Sequence, residues 1–199
     1  MRRALLVGWP WLVLALALVP RLWGIGWQLP SAMHFDELKY VEWAGAMAAG
    51  ERVETDFRNP SLYRHLLLVE YWIAGLLGVT DDARSTAILQ FYLARVTSAV
   101  FGAVACVLTA LAAARLAAHP GRPWAGPLVG ASTGLLLGWS LLHVHLSHYA
   151  VNDAVASTFL AGGLLFGARA LVAPTGRAFL LAGLCAGLAT AAKYNYGVV

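Results

Sequence analysis

The stretch 62–79, LYRHLLLVEYWIAGLLGV, decides the fold, because counting it as a membrane span would move every later segment to the other side. In length and apolarity it looks like a span, but Arg64, His65 and Glu70 interrupt it. A charge at the centre of a membrane helix costs about 2.5–3.5 kcal/mol on an insertion scale. The stretch therefore reads as an amphipathic helix lying on or partly in the interface. Asn59-Pro60 marks its start, since the residue before proline is pushed out of helical geometry and proline suits a first helical turn. Gly78 and Asp81-Asp82 mark its end.

On this reading five spans remain, at about 4–22, 89–117, 124–146, 151–172 and 178–199, with one long outer loop at about 24–88. Composition requires a membrane: 60% of residues are hydrophobic and 12% charged, about half the charge of a soluble domain. The first apolar run is too long for a signal peptide and lacks a small-residue cleavage site, so it reads as a retained span. Trp23 and Trp27 then fall where an interfacial aromatic belt is expected.

Arg2, Arg3, Arg115, His119, Arg122, Arg169 and Arg177 fall in short linkers without acids, as cytoplasmic segments require. Nine of the 10 acidic residues lie between the first two spans, and the tenth, Asp153, follows the third. Both acidic regions thus belong outside. Cys106 and Cys185 sit within apolar runs and suggest neither a disulfide nor a zinc site. Nucleotide-binding glycine loops are absent. Glycine recurs every four residues at Gly126, Gly130, Gly134 and Gly138, and again at Gly163 with Gly167 and Gly183 with Gly187. Such stripes let helices approach closely in lipid, and they carry no chemistry.

The polar groups gather on the outer side. His34-Phe35-Asp36-Glu37 opens an acidic, aromatic segment directly after the first span. On a helix Asp36, Lys39 and Tyr40 share a face and Glu37 points about a quarter-turn away. Such a pair is either the solvated, capped start of a surface helix or a reactive site. Lys193 lies about 22 Å into the fifth run at 1.5 Å per residue, in the outer third of the bilayer. It either snorkels to the interface or meets a lipid phosphate at headgroup depth. His143, His145 and His148 cluster at the outer end of the third span; His145 and His148 could face together and, with a loop carboxylate, hold a divalent metal. Interfacial hydrogen bonding is their other reading.

Taken in order, the Asp36-Glu37 pair, Arg95 near the outer end of the second span, Ser147-His148-Tyr149, Asp153 and Ala192-Lys193-Tyr194 resemble the N-terminal part of a GT-C glycosyltransferase. The branch is that of the protein O-mannosyltransferases and the lipid A aminoarabinose transferase. The resemblance runs along essentially the whole chain through short motifs. It implies an all-α, polytopic transmembrane bundle with amphipathic helices in its first outer loop. It also implies transfer of a sugar from a polyprenyl-phosphate carrier to a lipid, glycan or protein acceptor, with inversion, outside the cytoplasm. A bacterial inner membrane fits such a protein, and nucleic acid is not an expected partner. Asp36 matches the family's catalytic base, Glu37 its neighbour and Asp153 the second acid. Lys193, Arg95, His148, Tyr149 and Tyr194 fall at substrate-binding positions, with Lys193 or Arg95 placed to steady the departing phosphate.

No cofactor is required beyond the divalent metal considered for His145 and His148. Family members carry many more spans, so residues 1–199 read as one N-terminal membrane portion of a larger protein, expected to be inactive alone. A transporter or lipid flippase using Asp36, Asp153 and Lys193 as an ion or substrate path is the principal alternative. A non-catalytic subunit packing through its glycine stripes is a third.

Overall fold

The computed structural model describes residues 2–29, 31, 34–53, 58–79 and 83–198, and these are helical apart from turns and linkers. The helices are α1 (Arg2–Leu22), α2 (Phe35–Ala48), α3 (Leu62–Leu76), α4 (Ala83–Leu116), α5 (Ala125–Gly138), α6 (Leu141–His148), α7 (Asp153–Val172) and α8 (Gly176–Ala192). A short 3₁₀ turn, Tyr194–Val198, follows. By length and apolarity α4 and α7 could each cross a membrane, and α5 with α6 could form a third crossing. The apolar helices Gly8–Leu22 and Gly176–Ala192 are shorter.

Contacts fix the helix directions. Gly126 faces Ala114, Gly130 faces Ala110 and Gly134 faces Cys106, so α5 runs antiparallel to α4. Gly130, Gly134 and Gly138 also meet Trp9, Val13 and Ala17, which sets α1 parallel to α5. Ser98 donates to Val151 O and Thr158 to Phe101 O, so α7 runs with α4. Asn152 donates to Ala192 O while Gly162 faces Cys185, turning α8 back along α7. The directions thus alternate along the chain through α1, α4, α5, α7 and α8. One end carries Arg115, Arg169 and Arg177, and the other carries Glu37, Asp153 and Lys193.

Helix α4 has 34 residues, or about 51 Å, which is longer than a bilayer core of ~30 Å. Its extra length is clothed by α3. Tyr63 Oη donates to Ala94 O at 3.0 Å, Tyr71 Oη to Gln90 O at 2.9 Å, and Thr97 Oγ1 to Glu70 Oε1 at 2.6 Å. These hydrogen bonds fall on the stretch 90–97 of α4. The start of α3 agrees with the Asn59-Pro60 signal. Gly78, at φ +61°, supplies the left-handed residue that ends it; the Asp81-Asp82 signal lies outside the described residues.

The charge on α3 is arranged differently from the sequence expectation. Arg64 points inward and is 2% exposed, with its guanidinium over the Tyr40 and Trp43 rings at 5.6 and 5.3 Å. Val69, Trp72, Ile73, Leu76 and Leu77 are exposed instead. At i, i+3, i+4, i+7 and i+8 they make one apolar stripe, the face an interfacial helix turns to lipid.

The third apolar run is not one helix. Helices α5 and α6 meet at Trp139-Ser140 with a bend of 58°. Arg21, fully buried, fills the break. Its Nη1 donates to Gly138 O at 2.8 Å and Ala17 O at 2.6 Å, and its Nη2 lies 2.7 Å from His143 Nδ1. A side chain inserted into the ladder is a recognised cause of a kink, and Arg21 satisfies a carbonyl that the break releases.

The glycine stripes divide. A Cβ at Gly126 or Gly130 would stand 2.8 or 2.7 Å from a backbone carbonyl oxygen of α4, so this stripe is a tight interface. Gly167, Gly183 and Gly187 have open space around them. On α7 the close approach is made by Gly162, whose Cβ would lie 2.9 Å from Cys185 Sγ.

Candidate active site

The acidic end is built around α2. His34 is its N-cap: its Nδ1 accepts from Asp36 N at 3.2 Å, while His34 N donates to Glu37 Oε2 at 3.3 Å. This reciprocal box fixes the first turn and gives the adjacent carboxylates different surroundings. Glu37 points into the protein and is 0% exposed. Arg95 donates to it through Nε at 2.8 Å and Nη2 at 2.9 Å, and Ala150 N donates at 2.9 Å. Arg95 Nη1 meets Ile25 O and Trp27 O, both at 3.1 Å. Glu37, expected among the catalytic residues, and Arg95, expected to bind substrate phosphate, are thus engaged with each other and buried. They tie α2, α4, the 23–29 turn and the Tyr149–Asn152 linker together, and they position the site.

Asp36 faces outward. Lys39 Nζ lies 2.5 Å from its Oδ1, and the Asp36 side chain keeps 27% of its exposure. A carboxylate in the first turn of a helix is favourably placed, and this one can still meet a solute. The Phe35 ring, beside it, is 82% exposed.

Asp153 opens α7, and Lys193 Nζ donates to its Oδ1 at 2.6 Å. Both side chains remain partly exposed. Lys193 is the C-cap of α8 in extended backbone, so it stands at the helix end and not inside a continuing fifth span. Asn152 Nδ2 secures that end by donating to Ala192 O at 2.7 Å. Tyr194 is half exposed at the start of the 3₁₀ turn. Burial pushes the Tyr196 hydroxyl up, Asp153 adds to the rise, and Lys193 opposes it.

Tyr149 lies between His34, at the start of α2, and His145 of α6. Its ring centroid lies 5.5 Å from His34 and 4.9 Å from His145. His148 has Nδ1 3.1 Å from Val144 O and Nε2 3.1 Å from Trp23 O. No group of three His, Cys, Asp or Glu residues placed to hold a metal occurs among the described residues, so the metal reading for His145 and His148 lacks a ligand set.

An apolar recess of about 310 Å³ lies between α3 and α4 beside Glu70 and Leu93, while the two cavities beside the other polar residues of this end are small. One of about 120 Å³ lies beside Arg95, His145, His148 and Tyr149, and one of about 40 Å³ beside His143, Asp153 and Tyr196. Enclosed ligand sites commonly measure about 300–1,000 Å³, so neither of these two cavities is large enough to enclose a ligand of that kind. The sequence expectation overlooked Arg21 and its contact with His143. A lone arginine inside an apolar run was the available signal. No family model matches the chain, and no curated protein is significantly similar to it.

Proposed function

We propose that the protein is a membrane glycosyltransferase of GT-C type. It transfers a sugar from a polyprenyl phosphate to a hydroxyl-bearing lipid, glycan or protein acceptor. The carrying observation is that two partly exposed carboxylate–lysine pairs, Asp36–Lys39 and Asp153–Lys193, occupy the same end of the bundle. The proposed enzyme faces this end away from the cytoplasm, in keeping with the positive-inside rule, and crosses a bacterial inner membrane five times. Asp36 takes the acceptor's proton as its oxygen bonds to the anomeric carbon. The carbon–oxygen bond to phosphate breaks on the opposite face, and the phosphate leaves as an anion that Lys193 steadies. Asp153 holds Lys193 in place. Phosphate is a competent leaving group without a general acid, so one base suffices where glycosidases use two carboxyl groups.

The test is transfer itself. Membranes bearing the complete protein should move labelled sugar from a polyprenyl-phosphate donor with inverted anomeric configuration. Retention, or no transfer from any such donor, would overturn the proposal.

One observation favours transport instead: the broken α5–α6 pair holds a buried arginine at its break, and transporters place discontinuous helices at substrate sites. Flux abolished by Arg21→Gln with no sugar transfer by the wild type would decide for that reading.

A further inference from the structure

A polar cavity lies away from the carboxylates. At the opposite end a recess of about 460 Å³ is lined by Arg115 of α4, Phe166 and Arg169 of α7, Thr175 before α8, and Arg177 and Leu181 of α8. The three arginines are exposed, and the Arg169 guanidinium stands 5.1 Å from the Phe166 ring centroid, which orients it. The segments 83–152 and 154–199 contain no Asp or Glu, so this positive cluster has no counter-charge of its own sequence neighbourhood. Guanidinium groups suit phosphate because their fixed fork of N–H donors matches its oxygens. Beside the recess Leu171, Val172, Phe179 and Leu180 are exposed, forming an apolar surface on the same two helices.

We propose that this recess binds the phosphate headgroup of an anionic phospholipid whose acyl chains lie along α7 and α8. The arginines at a helix-bundle end supply the headgroup site, and the neighbouring apolar surface distinguishes a lipid from free inorganic phosphate. The proposal concerns the end opposite Asp36 and stands independently of the reaction assigned there.

The experiment places the purified protein in phosphatidylcholine nanodiscs containing a trace of spin-labelled phosphatidylglycerol or spin-labelled phosphatidylcholine. The wild type should immobilise the anionic probe in preference to the zwitterionic one. Arg115→Gln, Arg169→Gln and Arg177→Gln should each weaken the preference about fivefold, as ~1 kcal/mol per arginine requires, and the triple variant should abolish it. Arg122→Gln, outside the recess, should leave it unchanged. Equal retention of the two probes, or an equal loss in Arg122→Gln, would overturn the proposal. Inorganic phosphate should not displace the probe; displacement would assign the recess to a free anion and overturn the lipid as its occupant. Circular dichroism and elution volume of each variant separate a lost site from a lost fold.

Discussion

Arg95 grips Glu37 through two nearly parallel hydrogen bonds of 2.8 and 2.9 Å, with both side chains shielded from solvent. Such a bidentate pair is short and directional, and here it sets where Asp36 stands, one residue away on the same turn. Removing one partner strands a buried charge, which is far more damaging than losing both.

Glu37→Leu and Arg95→Leu should each destabilise the folded protein by about 3–5 kcal/mol. The double change Glu37→Leu with Arg95→Leu should cost less than the two singles combined, because neither charge is left alone. Thermal unfolding in detergent, run as a double-mutant cycle, measures the coupling. Strict additivity would show that the pair does not act as a unit.

The two glycine patterns should separate in the same assay. A methyl group at Gly130 meets Ala110 O at 2.7 Å and Trp9 Cη2 at 2.8 Å, whereas Gly187 has open space. Gly130→Ala should lower stability by about 1–3 kcal/mol, the usual range for overpacking. Gly187→Ala should be neutral or gain up to ~1 kcal/mol from helix propensity. A tolerated Gly130→Ala would place α5 farther from α4 than described.

Glu70 supplies the pH dependence. Its Oε2 is buried without a hydrogen-bond partner, and burial raises its pKa above 4.5 against the opposing hydrogen bond from Thr97. A raised carboxyl pKa means that Glu70's contribution is fully present below the ordinary carboxyl value and is lost as pH rises through the folded value. Relative to wild type, Glu70→Gln should therefore gain stability as pH climbs from 4.5 through that raised value. Melting curves across this window check it. A relative loss on raising the pH would mean that Glu70 is better ionised in the fold than out of it.

Much of this architecture was legible in the sequence. The Asn59-Pro60 and Gly78 signals bounded α3, and the clustering of acids and arginines gave the two ends. The α5–α6 break was not legible, because the stretch 135–142 stays apolar apart from Ser140, and the group that fills it is Arg21, 117 residues from Gly138. Nor could Asp36 be told from Glu37 by chemistry. Which of them turns inward is decided by Arg95, 58 residues away, and Ala150, 113 residues away. Lys193 looked embedded because apolar composition continues past it, whereas Asn152 caps the helix at Ala192. Tertiary partners settled each of these, and local pattern had no access to them.

Lys193 should show a division between stability and activity. Its pairing with Asp153 is partly exposed, and such pairs contribute about 0–1 kcal/mol. Lys193→Met should thus melt close to wild type. If Lys193 steadies the departing phosphate, the same change should reduce turnover by about 10²–10³, as for other lost electrostatic stabilisers. Unchanged turnover would leave the lysine a capping role alone.

The most direct measurement is sugar transfer by Asp36→Asn in the complete protein, normalised to folded protein, beside wild type and Glu37→Gln. The amide keeps the shape of Asp36 and removes its basicity, so turnover should fall by about 10²–10⁴, the usual contribution of a general base. Expression and donor binding should persist. Glu37→Gln should lose folded protein while each folded molecule retains more activity than Asp36→Asn. A loss below about threefold for Asp36→Asn, too small for a general base, would contradict the account, as would a larger loss per folded molecule for Glu37→Gln.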